Sequence, residues 1–315
     1  MSERDDVVSE EARQAPGGAQ SPLQIPAHGW RATVQRAVRE IVRDRITITA
    51  AGVTFYWFLS LFPMVFAAVA LLALADGSSE LVTDVNRTID DVAPGDAARI
   101  LTDAVANART RAGADGTVLS AVVAIGIALW SASSGMAATQ VGLDVAYDVE
   151  EDRPFIKKRL MGFALLFAAF VLGGVAFGLV VLGGPIEDFV REHVATGRVL
   201  DLAFVAIRWA IALVAVTTLI ALFYFIGPNR KPPSWKWISP GGIVATVLWF
   251  VASLGLSFYL TRFGDSYVKN YGALAGVVVL LLWLFLTALS ILVGAELNGE
   301  LERQRTMTAA EDERS

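Results

Sequence analysis

The chain has 315 residues, 55% of them hydrophobic and 18% charged, with a mean hydropathy of +0.54, the composition of a protein solvated by lipid. It has no cysteine, and its two histidines, His28 and His193, lie in different loops, which excludes a disulfide framework, an iron–sulfur cluster, a thiolate metal site and a cysteine nucleophile. The net charge of −5 says little, because a bilayer divides charges between two compartments.

Residues 1–28 are polar and carry Pro16, Gly17, Gly18, Pro22 and Pro26, the signature of a disordered tail. No apolar run occurs before residue 46, so no signal peptide is expected. Within 29–45, Trp30, Val34, Val38 and Ile41 fall on one helical face and the arginines mostly on the others. That pattern fits an interfacial helix on the inner leaflet, or a helix packed on cytoplasmic loops.

Six apolar runs follow, at 50–75, 117–138, 159–183, 203–227, 241–262 and 273–296. Each can cross the ~30 Å hydrocarbon core, which takes about 20 helical residues. Basic residues set their orientation. Arg31, Arg36, Arg39, Arg43 and Arg45 precede the first run, Arg153, Lys157, Lys158 and Arg159 precede the third, and Arg230, Lys231 and Lys236 precede the fifth. The 76–116 segment carries acids instead: Asp76, Glu80, Asp84, Asp90, Asp91, Asp96, Asp103 and Asp115. The predicted fold is an all-α integral membrane protein with six transmembrane helices and both termini cytoplasmic. In the outer 76–116 segment, Leu81, Val82, Val85 and Ile89, then Ile100, Leu101 and Val105, repeat at helical spacing around a Pro94-Gly95 break. Two short amphipathic helices are expected there, as a lid over a cavity or as a structural cap.

In lipid, apolar faces do not drive helices together, and small or polar residues mark the packed faces. The first span carries Thr49, Gly52, Tyr56, Ser60 and Pro63 on one stripe, and the second carries Gly126, Ser133, Ala137, Gln140 and Asp144. The fifth carries Thr246, Ser253 and Ser257, and the sixth Gly272, Gly276, Thr287, Ser290, Gly294 and Asn298. The third has only Gly173, Gly174 and Gly178, and the fourth Thr217, Thr218 and Tyr224. Spans one, two, five and six are therefore predicted to surround a weakly polar interior, with three and four more peripheral. The alternative for each stripe is ordinary small-residue packing. The candidate lining set is Tyr56, Ser60, Ser133, Gln140, Asp144, Ser253, Ser257, Asn270, Tyr271, Thr287, Ser290, Glu296 and Asn298.

No charge falls at a span centre, where it would cost at least about 2.5–3.5 kcal/mol. Arg208, Asp144 and Glu296 lie near span ends, within reach of the interface. The stretch 263–275, with Gly264, Asp265, Tyr267, Lys269, Asn270, Tyr271 and Gly272, reads as an outer loop or as a segment dipping into the bundle. No Ser-His-Asp set, paired catalytic carboxylates or phosphate loop is present, so neither an enzyme nor a cofactor is expected. Asp144–Asp152 are expected to pair with Arg153–Arg159 rather than hold a metal.

Three blocks carry a resemblance: AAGVTFYWFLSLFPMVF in the first span, LWSASSGMAATQVGLDVAYDVEEDRPFIKKR after the second, and FYFIGPNRKPPSWKWISPGG through to ILVGAELNGEL at the end. In order and spacing they resemble the YihY/BrkB family of bacterial inner-membrane proteins over residues 30–302. The resemblance implies a multi-pass protein of the cytoplasmic membrane. Its domain is expected over 29–302, followed by a cytoplasmic tail at 303–315. Members of that family have been labelled virulence factor, transporter and ribonuclease BN. The last label fails a chemical test, since a metal-dependent phosphodiesterase needs clustered His and Asp ligands. The juxtamembrane arginines follow from inside-positive bias and do not require nucleic acid.

The expected function is translocation of an amphiphile, such as a lipid or lipid-linked envelope component. A scaffold docking envelope proteins and a small-solute carrier are the alternatives. The expected partners are the lipid bilayer, that substrate or an envelope protein; the oligomeric state is not readable.

Overall fold

A computed structural model describes residues 25, 27–76, 118–150, 153–176, 178–179, 198–230, 235–271 and 274–312, with side-chain surroundings within 25–61, 126–150, 153–179, 202–230, 240–263 and 274–304. All the regular structure among them is helical. The helices are α1 (Ala27–Arg43), α2 (Ile46–Asp76), α3 (Val118–Ala146), α4 (Phe155–Ala168), α5 (Arg198–Ile226), α6 (Trp235–Tyr271) and α7 (Leu274–Asp312). The expected cap within 76–116 and the tail before residue 25 lie outside the described residues. Phe155–Ala176, Leu202–Ile226, Pro240–Phe263 and Leu274–Gln304 are long and apolar enough to cross a membrane. Helices α2 and α3 have 31 and 29 residues and are equally rich in apolar side chains.

Helix α4 continues through one π turn, Ala169–Gly173, to Ala176. A π turn shifts the face a helix presents beyond it. Below the turn Leu165 points into the main core, and above it Ala176 packs on Ala212 and Ala215 of α5.

Helices α2 to α7 form a closed ring in chain order, each packing on the next, with α7 returning to α2. Helix α7 also touches α3 across the ring and α1 outside it. The base of the bundle is the end where α2, α4 and α6 begin and α3 and α5 finish. There Ile46, Leu143, Leu165, Tyr224 and Leu292, from five different helices, are fully buried. Spans three and four are therefore not peripheral: Leu165 and Tyr224 are among the most deeply buried side chains. Apolar bulk fills the base as effectively as small residues do, and a search for polar stripes is blind to it.

Helix α1 corrects the single-face reading of 29–45. Trp30 and Ile41 pack inward, with Ala37, Leu297 and Leu301 forming a small core between α1 and α7. Val34, Val38 and Val42 stay exposed on the other side. The segment 263–271 is helix, not a loop or a dip: α6 runs unbroken to Tyr271, and α7 begins at Leu274.

Candidate functional site

The candidate residues divide into two groups. Gln140, Asp144, Ser290, Glu296 and Asn298 are buried near the base. The others are higher in the bundle or on its outside.

Asn298, fully buried on α7, holds the base together. Its Oδ1 accepts from the Gly241 N–H at 2.8 Å, and its Nδ2 donates to the Tyr147 hydroxyl at 3.3 Å. The Gly241 amide follows Pro240, which brings no N–H to the first turns of α6. Gly241 and Gly294 bring the backbones of α6 and α7 into contact: a Cβ on either would collide with the carbonyl oxygen of the other. Beside them Tyr224 donates to the Ile291 carbonyl at 2.6 Å, an acceptor in the middle of α7.

Gln140 faces α4, and Asp144 faces the chain after α5. Asp144 Oδ1 accepts from the Asn229 N–H at 2.7 Å, tying the chain after α5 to the end of α3. Gln140 Nε2 donates to the Lys158 carbonyl at 3.0 Å, and its Oε1 accepts from Arg153 at 3.1 Å. Arg153 also donates to the carbonyls of Ile226, Gly227 and Pro228 at 2.6–2.9 Å. These are orphan carbonyls at the C-terminal end of α5, where a cation also complements the helix dipole. Sequence reasoning missed this role, because Arg153 sits in a basic run that membrane orientation explains. The readable signal was its place beside Pro154, after a run of acids.

Helix α3 ends in a Schellman turn. Val149 N–H bonds to the Asp144 carbonyl and Asp148 N–H to the Val145 carbonyl, with Asp148 at φ 50°. The Asp148 carboxylate meets Arg303 of α7, so this acid pairs across elements and not with Arg153–Arg159. Tyr147 lies under the Arg230 guanidinium, 4.0 Å from its ring, and Arg230 reaches Glu302 at 2.8 Å. Burial pushes the Tyr147 phenol well above its ordinary range, outweighing the nearby Arg230 charge. At the joint of α1 and α2, burial and then the Glu40 carboxylate raise the Asp44 carboxyl, against Arg43 and Arg303.

The hydroxyl stripes do not form a continuous polar path. Ser133 donates to the Trp130 carbonyl, Thr287 to that of Trp283, and Ser290 to that of Leu286, all within their own helices. Ser60 points to the carbonyls of Tyr56 and Ser131 and joins α2 to α3, where Gly135 leaves room for it. Ser253 accepts from the Trp283 indole at 3.2 Å. Tyr56 is half exposed beside Phe55 and Leu59, and Ser257 is exposed. Asn270 and Tyr271 occupy the last turn of α6, outside the residues whose surroundings are described.

The two halves of the bundle differ in closeness. Gly135, Gly142, Gly162, Gly227, Gly241 and Gly294 each lie against a neighbouring helix or loop. Higher up, a Cβ at Gly126, Gly173, Gly174, Gly178 or Gly255 would meet nothing within 4 Å among the described residues. The base is thus closely packed around its core, although Gly52, near the start of α2, is open as well. Among the described residues no group of three or more His, Asp or Glu side chains is placed to hold a metal ion.

A family model described as virulence factor BrkB matches residues 37–315, which takes in every described helix but the first turns of α1. The chain belongs to the BrkB virulence factor family. Among BrkB relatives, a protein of Bacillus subtilis (strain 168) named ribonuclease-like protein YfkH is 33% identical over 258 residues, 82% of this chain and 90% of that one. A UPF0761 membrane protein of Pseudoalteromonas atlantica is 27% identical, covering 85% of each chain. One from Vibrio atlanticus is 23% identical over 95% of this chain and 91% of its own. No solved structure matches. The BrkB match reaches residue 315, past the end of the 30–302 resemblance and through the whole of α7.

Proposed function

We propose that this BrkB protein is a six-span translocase of the bacterial inner membrane, with both termini cytoplasmic, that moves a lipid or lipid-linked envelope component. The observation that carries the reading is a base plugged by large side chains in a bundle of long apolar helices. Tyr224, Leu143, Leu165 and Leu292 close that base, and several helices carry glycines on exposed faces, Gly126, Gly174 and Gly255 among them. An amphiphile can enter such a bundle sideways from the bilayer, with its chains in lipid and its head between helices. The self-satisfied hydroxyls of Ser133, Thr287 and Ser290 favour this over a hydrophilic solute, which needs a continuous polar lining.

The charge distribution supports the orientation. Arg36, Arg39, Arg43, Arg45, Arg153, Arg230 and Arg303 all lie at the base, as expected of a cytoplasmic end. The exposed Val34, Val38 and Val42 beside Arg31 and Arg39 support an interfacial α1 on the inner leaflet.

We also infer that the protein is not a nuclease. The name ribonuclease-like belongs to the Bacillus relative, and a sequence with no cysteine and two histidines far apart offers no clustered His and Asp ligands of the kind a metal-dependent phosphodiesterase uses. Reconstitution into liposomes with headgroup- and chain-labelled lipids tests the proposal. Transfer between leaflets should exceed that in protein-free vesicles, and its absence across a broad lipid panel would overturn the reading.

A further inference from the structure

Glu296 is 2% exposed, and its Oε1 is buried with no hydrogen-bond partner. It lies on α7, against which α1, α2, α3 and α6 all pack. The charged groups bearing on it are the carboxylates of Asp44, foremost, and of Glu40 and Glu300. Every guanidinium nearby is committed elsewhere. Arg36 bonds to Glu300 at 2.6 Å and to Gln304 at 2.7 Å. Arg303 is shared between Glu300 and Asp148, and Arg43 reaches Glu40 at 3.3 Å. Just before α2, Arg45 is exposed; from the end of α3, Tyr147 is bonded to Asn298; within residues 240–263, α6 brings no ionisable group to this end. Asp44 repeats the anomaly on a separate element, since its Oδ2 is also buried without a partner.

Two carboxyl oxygens on different elements, both desolvated and both without a donor, are costly unless a positive charge joins them. We propose that Glu296 and Asp44 form a binding site for one monovalent cation, a proton or an alkali ion, at the base of the bundle. Glu300 and Glu40 are engaged by Arg36 and Arg43, which leaves one unpartnered oxygen each on Glu296 and Asp44, a set that fits a single charge. Asp44 is only half-buried, the more exposed of the two carboxyls. The left-handed backbone of Arg45, at φ 51°, turns the chain there so that α2 can start beneath α7. A cation here would tie α7 to the α1–α2 joint, whatever the bundle transports.

The test uses the full chain in lipid nanodiscs at constant ionic strength. A ligand that binds only the folded state raises the unfolding midpoint. Replacing choline chloride by sodium or potassium chloride at about pH 8 should raise the midpoint by a few degrees if the occupant is an alkali ion. Acidifying to about pH 6 in choline should do so if it is a proton. Either shift should vanish in Glu296→Gln, and the infrared carboxylate bands that respond to the cation should vanish with it. Asp44→Asn should weaken the shift at least several-fold, and it carries the test if Glu296→Gln fails to accumulate. Wild type and Glu296→Gln responding alike to sodium, potassium and acid would overturn the site. Lipid transfer enters none of these readouts, so this outcome is separable from failure of the translocase reading.

Discussion

Asn298 shows how much one buried amide can organise. It gives the Gly241 N–H an acceptor and the Tyr147 hydroxyl a donor, so removing it strands a buried backbone donor. Such a group costs about 1–3 kcal/mol when left unsatisfied. Asn298→Ala should lower stability by that order, read as a drop in the unfolding midpoint of detergent-purified protein. Asn298→Asp should do better than alanine, since it keeps the acceptor facing Gly241. The buried Tyr147 phenol makes a separate prediction. Its ionisation is suppressed in the folded state, while in the unfolded chain it loses its proton near pH 10, at about the ordinary tyrosine value. The folded protein then holds more protons, so stability is whole below about pH 10 and falls as pH rises above it. Tyr147→Phe should flatten that alkaline loss, measured by unfolding midpoints across the alkaline range. At this scale the sequence located polar residues but not their partners. The stripe through Gln140 and Asp144 is real, yet it is spent on Arg153, Lys158 and Asn229.

At the scale of elements, the decisive contact is between α6 and α7. Pro240-Gly241 reads in the sequence as the start of an apolar run, but in the structure it lies inside α6, which already begins at Trp235. What it could not reveal is that Gly241 meets Gly294, a residue read only as part of a small-residue stripe. Gly294→Ala should push α6 away from α7, since its methyl would meet the Gly241 carbonyl, the Tyr224 hydroxyl and the Ala245 Cβ. Overpacking of this kind costs about 1–3 kcal/mol or more. Gly255→Ala, on the same α6 where nothing lies within 4 Å, should be close to neutral. Comparing the two variants by folded yield and midpoint checks the claim, because both gain the same methyl and the same helix propensity. Arg153 is the corresponding device between α3 and α5. Arg153→Lys keeps a charge but cannot serve three carbonyls and Gln140 Oε1 with one planar fork, so it should recover little of what Arg153→Ala loses. The helical 263–271 stretch was misread for a simple reason. Gly264, Asp265 and Asn270 are poor helix formers, and α6 carries them as the continuation of a long apolar run.

At the scale of the molecule, the membrane character and the helical class were readable, because lipid imposes length and composition on any spanning helix. The ring order was not. Polar stripes pointed to four converging spans, whereas all six contribute to the core through Leu165, Tyr224 and their neighbours. The consequence is a bundle closed at its base, and it leads to a distribution of accessibility that the absence of native cysteine makes easy to measure. A cysteine at Ala295 or Leu292 should resist a small maleimide in folded protein, since both sites lie in the sealed base. A cysteine at Ser257 should react with a membrane-permeant reagent, and Ser253→Cys should react more slowly beside Trp283. Fast labelling at Leu292→Cys with the fold intact would mean that the base opens as readily as the far half. In that case the base could not serve as the closed gate that the proposed translocase activity requires.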